Sequence, residues 1–182
     1  DLSTIDNFNT LVKSQMEIGG ELNYVPTSIS AFGLYCNEDL LKAHHQKIPT
    51  NLNEFKEVCD YFVEQGITPI VANNDISLKT IVIAKGMYSV YQSHNSKAEI
   101  EKFNSGENDL AETLRPGFEL VETMLQRGYI NKEEAQHVEK TKEDLEIFAK
   151  GEQPFMLTGA WAALRLRDLE PDFSFTIQPY PI

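Results

Sequence analysis

The sequence lacks most of the features that announce a function outright. Its longest apolar runs, such as Ile81 to Ala84, are far too short to cross a bilayer. Only two cysteines occur, Cys36 and Cys59, with no C-x-x-C and no ligand spacing, so no zinc site is signalled. Both fall in apolar stretches and read as buried free thiols. Basic residues are scarce: 16 Lys and Arg face 28 Asp and Glu, a net charge of −12. Such a surface repels phosphate backbones and offers anionic lipid no polybasic patch, so nucleic acid is not an expected partner. There is no phosphate loop and no G-x-S-x-G elbow. His44 and His45 are adjacent, point different ways from a helix, and read as surface residues. Carboxylate pairs such as Glu133–Glu134 lie on solvated helix faces. Asp75 alone sits where an acid/base could act, and a glycosidase needs two such groups. The chain opens on Asp1-Leu2-Ser3-Thr4 without a Met or a visible signal peptide, which reads as a processed chain or an excised piece.

What is present describes a folded α/β chain. Hydrophobic residues make up 41% and aromatics 10%, enough for a core. Residues 5–18 carry a modest helical pattern ended by Gly19-Gly20. Leu22 to Pro26 reads as extended, Ala31 to Cys36 as a strand, and Glu38 to His45 as a helix. Asn51 and Glu54 have capping-box spacing before a helix through Phe55, Val58, Cys59 and Phe62, stopped by Gly66. Ile67 to Ala72 is a β-branched run and reads as a buried strand, with Asn73-Asn74-Asp75 as the loop at its end. Helices are expected over 78–91 and 110–127, with Pro116 starting or kinking the second, and one short helix within the polar stretch 93–108. Asn131 with Glu134 and Thr141 with Asp144 fit two further helix starts. A strand Phe155 to Leu157, broken by Thr158-Gly159, leads into a helix from Ala160, and Phe173 to Gln178 is a last strand. Alternating strands and helices predict an α/β fold with a mixed, mostly parallel sheet flanked by helices.

The candidate site follows from the same reading. In open α/β sheets the ligand crevice lies at the carboxyl ends of strands. That edge would collect Asn74, Asp75, Gly159 and Trp161, the only tryptophan. Ser28 and Ser30 precede their strand, so they join that edge only if the strand is reversed or the chain crosses between domains. An aromatic face, amides, hydroxyls and one carboxylate suit a neutral polyhydroxylated ligand. An indole stacks on the C–H face of a sugar, and Asn and Asp exchange hydrogen bonds with neighbouring hydroxyls. The plain alternatives are turn residues at Asn74, Asp75, Ser28 and Ser30, and a core role for Trp161.

Three stretches together resemble the extracellular solute-binding proteins of ABC importers, the large family that includes maltose-binding protein: "YVPTSISAFGLYCNEDLLKAHHQKIPTNLNEF", "FAKGEQPFMLTGAWA" and "DFSFTIQPYP". Tyr24-Val25-Pro26 resembles its hinge entry and Cys36-Asn37 with Leu40-Leu41 its Tyr-Asn-x-x-Leu-Leu strand and helix. Gly159-Ala160-Trp161 resembles its Gly-x-Trp, and Pro179-Tyr180-Pro181 its closing Pro-x-Pro. The resemblance implies a periplasmic-binding-protein-like lobe of a protein that closes on its solute by a hinge. Residues 1–23 would end the N-terminal lobe, 24–30 form the first crossing, 31–178 the C-terminal lobe, and 179–182 begin the second crossing. It implies a non-enzymatic monomer without cofactor or metal. Its partners would be a mono- or oligosaccharide and a membrane permease, and its place outside the cell as a lipoprotein or in a periplasm. Trp161 would be the stacking platform, Asp75 and Asn74 hydroxyl partners, and Ser28 and Ser30 contacts beside the hinge. The residues after Asp75, Ile76 and Ser77, lack the aromatic the family often places there. The competing readings are a ligand-sensing domain of a regulator and a small α/β hydrolase or transferase using Asp75.

Overall fold

The computed structural model describes residues 17–18, 21–22 and 30–181. The chain divides into two compact units, residues 1–31 and 32–182, each described by itself. In the first, β1 (Glu17–Ile18) pairs antiparallel with β2 (Glu21–Leu22). Residues 17–18 are therefore extended where the sequence reading continues a helix. Residues 5–16, Ser28 and the Tyr24 to Pro26 stretch lie outside the described residues.

In the second unit, β3 (Phe32–Asn37) leads directly into α1 (Glu38–Ala43), whose first turn is capped by the Asn37 side chain accepting from the Leu40 amide at 2.9 Å. Next comes α2 (Leu52–Glu64), capped by Asn51 as its spacing predicts. Gly66 ends α2 in the left-handed region (φ 77°), and the Ile67 amide bonds back to the Phe62 carbonyl. That helix end uses up Ile67, so the expected strand 67–72 shortens to β4 (Ile70–Val71). A π-helical turn (Asn74–Leu78) runs into α3 (Lys79–Gly86), followed by α4 (Tyr88–Gln92) and α5 (Ser96–Asn104). The long α6 (Leu110–Gln126) holds Pro116 in its interior. Gly117 lets α6 lie against the α3 backbone: a Cβ there would sit 2.1 Å from the Val82 carbonyl oxygen. Then come α7 (Lys132–His137), capped by Asn131, and α8 (Glu143–Phe148). β5 (Phe155–Gly159), a 3-10 turn (Ala160–Ala162), α9 (Ala163–Asp168) and β6 (Phe175–Gln178) complete it.

The sheet order is β4-β5-β3-β6. It is mixed, as expected, but not mostly parallel: β4–β5 is parallel, and β3 runs antiparallel to both β5 and β6. Apolar alternation sets which face of a strand is buried and is silent on strand direction. Thr158 and Gly159 do not break β5, because pairing with Gly33 and Phe32 carries the ladder through them. Alternate residues feed two cores. Leu34, Cys36, Phe155 and Leu157 pack under Phe55, Cys59 and Phe62 of α2 and Met124 of α6. Tyr35 and Met156 face Leu145 and Phe148 of α8 and Leu166 of α9 on the other side. Both cysteines are buried and unbridged. His44 is not a free surface residue: its ring lies 4.9 Å from that of Phe62 and bonds the Tyr61 hydroxyl, while His45 is exposed.

Candidate functional site at the carboxyl edge of the sheet

Because β4 and β5 are parallel neighbours, the segments that follow them emerge at one edge. Asn74 and Asp75 follow the first and Gly159 and Trp161 the second, so the sheet brings these four residues to that edge. The reversed direction of β3 puts its first residue, Phe32, at the same edge, opposite Gly159.

The segment after β4 is not a loop. Asn73 is buried, and its side-chain oxygen accepts from the Ile76 amide at 2.7 Å, capping the π turn. Its Nδ2 donates to Asp144 Oδ2 at 2.9 Å, and its own amide donates to Ser77 Oγ at 3.0 Å. Ser77 Oγ in turn donates to the Leu157 carbonyl of β5. This buried set ties the turn to both β5 and α8, and leaves Asn74 and Asp75 exposed on its first turn. The Asp75 carboxylate pairs with Lys79 at 3.5 Å and with Lys140. Asp144 is fully buried, and burial raises its pKa even though the backbone amides of Thr141, Leu145 and Lys142 and the Asn73 amide all stabilise its charge. Thr141 caps no helix: it stands in the left-handed region (φ 61°), Lys142 takes the cap position, and Asp144 in the first turn of α8 accepts from the Lys142 and Leu145 amides.

Trp161 lies on the 3-10 turn with 43% of its surface exposed. It is a surface aromatic, not a core one. Its indole folds back over Gly159, where a Cβ would come within 2.2 to 2.3 Å of three ring carbons. The Gly159 carbonyl accepts from the buried Tyr35 hydroxyl at 2.9 Å, which fixes the backbone beneath the ring. Phe32, 40% exposed, meets the indole edge-on, with centroids 5.2 Å apart and an interplanar angle of 78°. Sequence reasoning missed Phe32, Asn73, Ser77 and Asp144. The one available signal for Phe32 was its place in the alternation Phe32, Leu34, Cys36, which runs past the end of the core. Ser30 is exposed and belongs to the other unit. A groove of about 500 Å³ between α3, α6 and α7 has Asn74 and Lys79 among its lining but is otherwise mainly apolar, with Val82, Ile83, Leu114 and Phe118.

The model of the bacterial extracellular solute-binding protein family matches residues 1–181. The chain belongs to that family. No curated protein matches this chain. Among solved structures it is similar to a family 1 extracellular solute-binding protein from Bifidobacterium longum subsp. infantis, at 22% identity and a TM-score of 0.73 over 100% of this chain and 47% of that one. It is also similar to a sugar transporter protein from Bacillus licheniformis in complex with stachyose (17% identity, TM-score 0.68, 95% and 46% of the two chains). A chitin oligosaccharide binding protein gives 19% identity and a TM-score of 0.70 over 98% and 44%. These likenesses establish the fold. The chain spans less than half the length of each of these structures. Among its described residues, no helix is long and apolar enough to cross a membrane.

Proposed function

We propose that this chain forms one lobe of a carbohydrate receptor that delivers its solute to an ABC importer and has no catalytic role. The observation that carries the reading is the exposed indole of Trp161, folded over Gly159 at the edge to which β4 and β5 also bring Asn74 and Asp75. A pyranose stacked on the ring would have the Asn74 amide and the Asp75 carboxylate for its hydroxyls. Lys79 and Lys140 already engage Asp75, so a sugar hydroxyl would join or displace an existing ion pair. β3 begins and β6 ends at this edge, since Leu34 pairs with Gln178 and Phe32 with Gly159. That supports lobe crossings at residues 24–30 and from 179 onward, with Ser28 and Ser30 as contacts beside the hinge. The relatives bind stachyose and chitin oligosaccharide, which makes these two the first solutes to test. Closure of two lobes on the solute would follow the hinge pattern of binding proteins. Family membership supports an extracellular place, with lipoprotein anchoring or a periplasm as the specific form.

Trp161 is the only tryptophan, so its fluorescence reports the site directly. Titration of the chain with stachyose, chitin oligosaccharides and monosaccharides should shift its emission and protect it from acrylamide. If no sugar changes either signal, and none protects the protein against thermal unfolding, the carbohydrate reading fails.

A further inference from the structure

The indole of Trp161 is confined on two sides. Beneath it is Gly159, whose missing Cβ is the space the ring occupies. Beside it stands Phe32, supplied by a strand more than a hundred residues away in sequence and set opposite Gly159 by the antiparallel register. Phe32 is the only ring in contact with Trp161 among the described residues. A surface tryptophan bounded by one contact would retain rotation about its two side-chain torsions, and a second contact removes most of it. Phe32 also stays 40% exposed, more than a side chain placed there for core packing would be.

We infer that Phe32 is the positioning residue for Trp161 and the second wall of the solute site, making an apolar corner for one edge of a pyranose ring. The inference rests on the reading of Trp161 as a stacking platform. Its chemistry is specific. The face of the sugar lies on the indole, and the edge turned toward Phe32 has to present C–H groups, because a hydroxyl pressed against that ring finds no hydrogen-bond partner in it. Selectivity among hexoses would then come partly from a residue that offers no polar group at all.

The test compares wild type with Phe32→Ala, Phe32→Leu and Phe32→Tyr in the full chain. Without solute, Phe32→Ala should raise the acrylamide quenching constant of Trp161 by about twofold and lower its anisotropy, as expected for a ring freed of its edge contact. Phe32→Leu should fall between, and Phe32→Tyr should match wild type. Far-UV circular dichroism and the urea midpoint check that the fold is kept, and Phe32→Leu serves if Phe32→Ala does not fold. In the stachyose and chitin-oligosaccharide titrations, Phe32→Ala should weaken any binding seen with wild type by about two- to tenfold. Unchanged quenching and anisotropy in folded Phe32→Ala or Phe32→Leu would overturn the positioning role. A changed indole signal in the Phe32 variants, with a wild type that responds to no sugar, would uphold the positioning role while the carbohydrate reading falls.

Discussion

Gly159 and Trp161 act as a pair. Gly159 has φ −75° and ψ 145°, values open to any residue, so its identity answers to space and not to backbone conformation. In Gly159→Ala the new methyl would meet the indole, and the backbone cannot yield easily because the Tyr35 hydroxyl and the Phe32 pairing hold it. The ring, half in solvent, is what moves. Stability should change by less than about 1 kcal/mol, while on the proposed carbohydrate reading affinity for a stacked sugar falls about tenfold. A urea melt and a Trp161 titration separate the two effects. Asp75 shows the limit of reading one residue in isolation: its exposed carboxylate draws two lysines, one of them 65 positions away, which no local pattern forecasts.

At the level of elements, the site depends on how the π turn is anchored. Asn73 caps it and bridges to Asp144. Asn73→Ala should cost about 2–3 kcal/mol, about 1 for the lost cap and the rest for the partner removed from a buried carboxylate. The drop is read from the urea midpoint. Amide exchange over 74–78 should quicken more than exchange in β5. Element boundaries were partly legible: the caps at Asn51 and Asn131 were read from spacing because a cap is a contact between near neighbours. The start of α8 lies one residue beyond the one the Thr141 and Asp144 spacing predicts, because Thr141 takes the left-handed conformation and Lys142 the cap position.

Across the whole molecule, the two cores hold groups that resist ionisation. Burial pushes the Cys36 thiol up to about 12, with the Glu38 charge adding to it, and raises Cys59 well above its usual value. Burial likewise takes the Tyr35 phenol to about 12, helped by the Asp144 charge. A folded pKa above the unfolded one means stability that is complete below the unfolded value and lost as pH rises through the folded one. For the thiols the loss begins near the free value of 9.0. Stability should hold between pH 7 and 8.5 and fall by about 1 kcal/mol per thiol one unit above that free value. Urea midpoints at neutral and alkaline pH measure this. A thiol reagent should label neither cysteine until the chain unfolds.

Local physics in the sequence determined most of the helices, the caps at Asn51 and Asn131 and the buried faces of the strands, because periodicity and capping act between residues close in the chain, while the family came from resemblance and not from such local physics. It also brought forward Trp161, Gly159, Asn74 and Asp75, whose shared edge follows from β4 and β5 running parallel. Tertiary structure alone decided the direction of β3, which sets Phe32 against Trp161. It alone decided the burial of Asn73, Ser77 and Asp144 beneath the site and the lysines on Asp75. Strand direction and long-range pairing are fixed by how distant segments share one core, and no short window of sequence contains that information.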